Sequence, residues 1–327
     1  MSKTVFVDVS HAADMLLEMD GMLILTHHNP DGDTLGCGFA LWAALMSLKK
    51  NVYVACSSEI HPMYGFLTDF YHKTNTQKPE FTPKNIIAVD TAAPSQLGRY
   101  EYLADSVVLA VDHHGSNTGY AANTLLDVNA ASCAEIVFEI LIKLDVKIDK
   151  YIASAIYTGV STDTGCFRYR NTTANSHVVT AKLLESGVDI VPLNKILFET
   201  KTRGELALQR LALDSLTYYH NDRIAVITIT QDMLEKTGAA EEDMSGINAI
   251  PRSIEGVDVG VVLRQIKDNK VKGSIRTTRH ANASSICAVF GGGGHYGAAG
   301  FECSGEITDV RTAVIKAVVC ELDKEKV

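Results

Sequence analysis

Through the first half of the chain, short apolar runs alternate with stretches whose apolar residues recur at helical spacing. Leu23 to Thr26, Asn51 to Ala55, Ile86 to Val89 and Val107 to Val111 read as buried strands. Between them, Ala13, Leu16, Leu17 and Met19 mark a helix that Ser10 would cap and Gly21 would stop. Thr34 to Leu48 is apolar nearly all round, which predicts a buried helix, and Gly36 and Gly38 near its start suit a close approach to another backbone. Cys133 to Leu144 and Ile152 to Val160 complete the helical set. The alternation predicts an α/β fold with a doubly wound parallel sheet over residues 1–190.

The pattern then changes. Residues 191–212 read as a charged linker helix, and residues 213–327 as a smaller α+β domain with strands at Arg223 to Thr230, Val257 to Ile266 and Val271 to Thr277. The last two flank Lys267-Asp268-Asn269-Lys270, a hairpin-type turn.

Composition narrows the setting. The 327 residues are 46% hydrophobic and 21% charged, as in globular proteins of two ordinary domains. No run approaches the roughly 20 apolar residues of a membrane helix, and the start lacks a basic region followed by an apolar core. The expectation is a cytoplasmic protein with no membrane partner. Seven dispersed cysteines, never spaced as Cys-x-x-Cys, argue against a disulfide framework or a structural zinc site. A net charge of −9 argues against coating long double-stranded nucleic acid, which needs a broad basic face. Small anionic ligands stay in view, because Arg264, Lys267, Lys270, Lys272, Arg276 and Arg279 are opposed in their own segment only by Asp268. Oligomeric state leaves no mark in the sequence.

The chemistry sits after the strands. His27-His28-Asn29-Pro30-Asp31-Gly32-Asp33 follows the first apolar run, Asp90 follows Val89, Asp112-His113-His114 follows Val111, and Asp163 lies in a later loop, Ser161-Thr162-Asp163-Thr164-Gly165. In a parallel α/β sheet the carboxyl ends of strands line one crevice, so these remote residues can converge there. Pro30 and Gly32 would turn the first segment sharply enough for His27, Asp31 and Asp33 to face a common point. Asp31, Asp33, Asp90 and Asp163 would repel one another strongly, with His113 or His114 supplying an imidazole. Two divalent cations would balance them, with Asp90 as the natural bridge. Such a pair, ~3.5–4 Å apart, activates a bridging hydroxide for in-line attack on phosphorus. Mixed carboxylate and imidazole ligation suits Mn²⁺ better than Mg²⁺, although Fe²⁺, Co²⁺ and Zn²⁺ also fit such donors. Any one of these residues alone would more often be a helix cap or a satisfied core side chain.

These four segments, in this order, resemble the motifs of the DHH phosphoesterases, a family named for the triplet found here as Asp112-His113-His114. The resemblance implies one metal on His27, Asp31 and Asp90 and a second on Asp33, Asp90, His113 and Asp163. It implies that His114 faces the substrate phosphoryl group, with Asp90 and Asn29 beside the reacting water or a phosphoryl oxygen. Asp112 and His28 are expected to orient these groups rather than bind metal.

Gly291-Gly292-Gly293-Gly294-His295 frees backbone N–H groups to approach an anionic oxygen. Its formal match to a dinucleotide fingerprint is rejected, because too little chain follows for a βαβ unit. Together with Ala298-Ala299-Gly300 it resembles the DHHA1 domain that accompanies the DHH domain, which implies substrate contacts from Gly292, Gly293, Gly294 and His295. Arg276 matches the substrate arginine and can grip a phosphate through two parallel hydrogen bonds. Arg279 and His280 are near enough to assist. A positive second domain closing over the metal-loaded first is the expected arrangement.

The two-domain plan resembles the branch that degrades very short oligoribonucleotides, as a nanoRNase, and dephosphorylates adenosine 3′,5′-bisphosphate. Alternatives are a soluble phosphodiesterase for cyclic dinucleotides or their linear products, and a nucleotide-binding regulator without turnover. Pyrophosphatase, exopolyphosphatase and nicotinamide-dependent redox readings rank below these.

Overall fold

The structure, a computed structural model, describes residues 4–74, 82–239, 246–266, 269–278 and 280–324. The chain divides into two compact units, Met1–Thr200 and Lys201–Val327.

The first unit runs β1 (Val5–Phe6), α1 (Val9–Glu18), β2 (Met22–Leu25), α2 (Gly32–Ser47), β3 (Val52–Ala55), α3 (Gly65–Thr74) and β4 (Asn85–Val89). It continues with β5 (Val107–Asp112), β6 (Asn123–Leu126), α4 (Cys133–Lys143), α5 (Lys150–Asp163), α6 (Ala174–Glu185) and α7 (Ile190–Asn194). The strands form one sheet in the order β1-β6-β5-β4-β2-β3, and every pairing in it is parallel. Both faces are covered, as the unbroken apolar strands require. Ile87 and Val89 of β4 enter a large core with Phe39, Trp42 and Leu109. Ile86 and Ala88 enter a smaller one with Leu97, Ala104 and Ala121. Leu97 and Ala104 belong to the 3₁₀ segment Pro94–Ser106, which bends at Gly98.

Several boundaries differ from expectation for local reasons. Asp8, not Ser10, caps α1, accepting the His11 N–H at 2.8 Å. Asp31 caps α2 by accepting the N–H groups of Asp33 and Thr34, so the helix starts at Gly32 and Asp33 lies inside its first turn rather than in the loop. Asp163 is the last residue of α5, not a loop residue. The expected linker helix over 191–212 is three pieces: α7, a π-helical turn at Lys195–Glu199, and α8 (Arg203–Asp214), with Thr202 capping α8 anew.

The second unit continues with β7 (Thr217–Tyr219), β8 (Ile224–Ile229), α9 (Gln231–Thr237), β9 (Val259–Ile266), β10 (Lys270–Thr277), α10 (Ala283–Ala288), β11 (Gly293–His295), β12 (Ala298–Ser304) and α11 (Ile307–Asp323). Its sheet runs β11-β12-β10-β9-β8-β7, parallel only between β8 and β9. Val271, Ile275, Ala299 and Phe301 bury one face against α10 and α11. Lys267 and Asp268 of the expected hairpin turn, and Arg279, lie outside the described residues. Among the described residues no helix is long and apolar enough to cross a membrane.

Candidate metal centre

The chain leaves β2 toward β3 on one side and returns to β4 on the other, so β2 and β4 meet at a switch in strand order. Ligands favour the carboxyl ends of strands at such a point. His27 lies just beyond β2, Asp90 directly follows β4, and Asp112 to His114 end β5, the next strand over. Asp90 has a φ of 57°, a conformation rare outside glycine, and its N–H is held by the Val111 carbonyl at 2.8 Å.

The structure brings the candidate ligands together as follows. His27 Nε2 is 3.5 Å from Asp31 Oδ1 and 3.5 Å from Asp90 Oδ2. His113 Nε2 is 3.8 Å from Asp33 Oδ2, 3.6 Å from Asp90 Oδ1 and 3.7 Å from Asp163 Oδ2. His27, Asp31 and Asp90 form one group with ligating atoms within 4.8 Å of one another, Asp33, His113 and Asp163 a second, and Asp90, His113 and His114 a third that overlaps both. Both rings are oriented from behind. Nδ1 of His27 lies 2.8 Å from the His28 carbonyl and Nδ1 of His113 3.2 Å from the Ala130 carbonyl, contacts that require those nitrogens to donate and leave each Nε2 as the ring nitrogen facing the carboxylates, where a cation would be held.

Asp33 is held differently. Its carboxylate accepts the N–H of Cys133 at 2.7 Å and of Ala134 at 2.9 Å, at the N-terminus of α4, where the helix dipole favours negative charge. The Cys37 thiol adds a weaker contact at 3.6 Å. Helices α2 and α5 pack against each other, and Gly159 of α5 makes room there. A methyl at Gly159 would lie 2.7 Å from Asp33 Oδ1 and 2.5 Å from the Ala134 Cβ.

Asp112 is fully buried and faces away from cation duty. It accepts the His113 N–H at 2.9 Å, His114 Nδ1 at 2.8 Å and the Asn117 amide at 2.6 Å. Although burial opposes its charge, the His114 and Asn117 contacts lower its pKa, and Asp112 in turn raises that of His114. His28 is tied through N–H and Nδ1 to the Gln96 carbonyl. Asn29 is exposed, at a left-handed φ of 54°, with its N–H on Ser58 Oγ. Backbone groups and Asn117 were invisible to the sequence reading, since an N–H of α4 carries no side-chain signature.

Electrostatics mark the cluster as short of positive charge. Burial, then repulsion from Asp90, Asp163 and Asp31, drives the Asp33 pKa well above the carboxylate range. Burial lifts Asp163 to about 6, with attraction from His113 and His114 working against it and repulsion from Asp90 and Asp31 adding to it. His27 rises to about 10, because Asp31 and Asp90 overcome the burial that disfavours its charge. Asp90 Oδ1 is buried with no hydrogen-bond partner, an arrangement that costs stability unless another group satisfies it. An orphaned carboxylate oxygen between imidazoles, among other carboxylates, is a donor set that fits divalent cations.

In the second unit, Arg276, Ala298 and His295 are directly paired across β10, β12 and β11. Paired residues share a face, so Arg276 and His295 flank Ala298 on the side opposite the α10–α11 core. The end of the glycine run, Gly293 to His295, is an edge strand, while Gly291 lies in a turn. Gly294, at φ 147°, and Gly292 have no room for a side chain against β12, whereas Gly293 faces open space. The basic segment is not one exposed patch. Arg264 is buried, Lys270 pairs with Glu302 at 3.0 Å, and His280 is half-buried.

Comparison with known proteins resolves the family. Residues 21–160 match the model of the DHH family, N-terminal domain, and residues 221–320 that of the DHHA1 domain. The bifunctional oligoribonuclease and PAP phosphatase NrnA of Thermus thermophilus is 30% identical over 315 residues, covering 95% of this chain and 94% of its own. The chain belongs to the DHH family. This DHH protein is a metal-dependent phosphoesterase. Its fold also matches a solved exopolyphosphatase-related protein from Bacteroides fragilis, with a TM-score of 0.85 at 26% identity over 98% of this chain and 97% of that one. The fold of RecJ from Thermus thermophilus, solved in complex with Mn²⁺, is shared at a TM-score of 0.56 and 13% identity, over 97% of this chain and 55% of that one.

Proposed function

We propose that this DHH phosphoesterase hydrolyses oligoribonucleotides of a few nucleotides and adenosine 3′,5′-bisphosphate with two divalent ions, Mn²⁺ foremost. Ligands for one would be His27, Asp31 and Asp90, and for the other Asp33, Asp90, His113 and Asp163. The observation that carries this reading is Asp90 itself. Its Oδ2 faces His27 and its Oδ1, buried and unpartnered, faces His113, so one carboxylate spans both groups.

Divalent ions at such a site acidify water and neutralise charge on phosphoryl oxygens. The chain's own residues do the rest. Asp112 fixes Nδ1 of His114, which leaves Nε2 as the ring nitrogen that can reach a phosphoryl or leaving oxygen. Asn29, on its exposed turn, is assigned a hydrogen bond to the reacting water or a phosphoryl oxygen. Catalysis is assigned to residues 1–190 and substrate binding to residues 213–327. There Arg276 would take a phosphate by paired hydrogen bonds, and the open Gly293 backbone with His295 would hold the adjoining part of the ligand.

The short-nucleotide assignment is supported by the 30% identical relative, which is named for those two activities. The net charge of −9 disfavours long polyanions. The test is a product profile from purified protein with Mn²⁺ and a panel of RNAs of two to five nucleotides, adenosine 3′,5′-bisphosphate, cyclic dinucleotides and pyrophosphate. Turnover of short RNA and of the bisphosphate is expected. Cleavage of cyclic dinucleotides alone or pyrophosphate alone, or tight nucleotide binding without turnover, would overturn the assignment.

A further inference from the structure

The side chains of the second ligand group come from three distant places: Asp33 from α2, His113 from the end of β5, Asp163 from the end of α5. One strip of main chain, residues 130–134, orients the first two. The Ala130 carbonyl holds the His113 ring, and the N–H groups of Cys133 and Ala134 hold both oxygens of Asp33. Ser132, whose hydroxyl accepts the Glu135 N–H at 3.3 Å, caps α4 at this point and keeps those N–H groups aimed outward.

Asp163 is joined to the same strip by a residue no motif singled out. The Asn171 side-chain amide donates to the Ala131 carbonyl at 3.0 Å and to the main-chain carbonyl of Asp163 at 3.1 Å. We propose that Asn171 is a positioning residue, which locks the end of α5 to the strip that orients His113 and Asp33 and so sets the spacing of the whole group.

The chain goes to some length to bring Asn171 there. Gly165, Cys166 and Phe167 have consecutive left-handed φ values of 56°, 57° and 62°, a run that side chains disfavour and that persists only where surrounding structure enforces it. Here the Cys166 N–H is held by the Ser161 carbonyl at 2.7 Å, and those of Arg168 and Tyr169 by the Thr164 carbonyl at 3.0 and 2.9 Å. The Phe167 ring stacks on His177 at 5.1 Å. This reversed turn returns the chain past Asp163. An asparagine serving only to end the turn would need a local partner, yet Asn171 also reaches Ala131, 40 positions away.

The proposal rests on the reading of Asp33, His113 and Asp163 as metal ligands. It is tested by titrating full-length protein with Mn²⁺, following free Mn²⁺ by paramagnetic resonance, together with the melting temperature of the metal-free protein. Two binding steps are expected for wild type. Asn171→Ala should weaken one of them by about 10- to 100-fold, the range for groups that orient ligands, and leave the other step and the metal-free melting temperature as they were. Asn171→Asp, the same shape with an oxygen set against two carbonyls, should fall at least as far. Wild-type binding in Asn171→Ala, or equal weakening of both steps with a lowered melting temperature, would overturn the positioning role alone. Full two-step binding in Asp163→Ala would overturn the ligand reading and this proposal with it.

Discussion

The two units gather polar side chains in opposite ways. In the first, His27, Asp90 and His113 follow three neighbouring parallel strands while Asp33 and Asp163 come from helix ends, and Asp33 is fixed by buried N–H groups of another element, α4. In the second, Arg276 and His295 share a face simply because strand register pairs both with Ala298. Convergence of strand ends concentrates charge and makes each residue depend on the others. Register places residues in a row without coupling them. The first arrangement suits rigid ligation and chemistry; the second suits a surface that grips.

The sharpest way to break this contrast is at Asp90. Asp90→Ala should lower turnover by at least about 1,000-fold, beyond the 10–100-fold of groups that merely orient ligands, while circular dichroism shows an intact fold. Residual activity within tenfold of wild type would mean that Asp90 does not couple the two ligand groups. Next in size is Gly159→Ala. Alanine favours helix over glycine by roughly 1 kcal/mol, but a methyl forced against Asp33 and Ala134 should cost about 1–3 kcal/mol of overpacking. Reduced thermal stability and weakened Mn²⁺ binding are expected; a more stable variant with normal binding would show that α2 and α5 can separate freely. In the second unit the effect falls on binding alone. Arg276→Ala should raise KM by about 10- to 150-fold, the value of a charged hydrogen-bond pair, with kcat nearly unchanged. An unchanged KM, or a kcat loss like that of Asp90→Ala, would erase the division between ligation and grip.

Strands β2, β4 and β5 were legible because they are unbroken apolar runs that end at polar residues, and the placement of His27, Asp90 and His113 just beyond them came with that pattern. Asp31 and Asp33 were legible as residues but not as geometry. Capping by Asp31 pulled Asp33 into a helix, where its partners are N–H groups of α4 that no residue type announces. β1, two residues long, lacks the length for an apolar pattern to register, and β6 opens on Asn123-Thr124, which breaks one. The strand at Gly293 to His295 is hidden by its glycines, which usually signal a turn or loop. Its strand conformation depends on pairing with β12, information held outside the segment. The linker helix failed at Thr200 to Thr202, where a fresh cap restarts the helix although the charged composition is continuous.

The central claim, that Asp90 spans two cation positions, is tested most directly by anomalous diffraction from crystals grown with Mn²⁺. The account predicts two peaks about 3.5–4 Å apart, both within ligand distance of Asp90, one beside His27 and Asp31 and the other beside Asp33, His113 and Asp163. A single peak, or a pair that Asp90 does not touch, would contradict it.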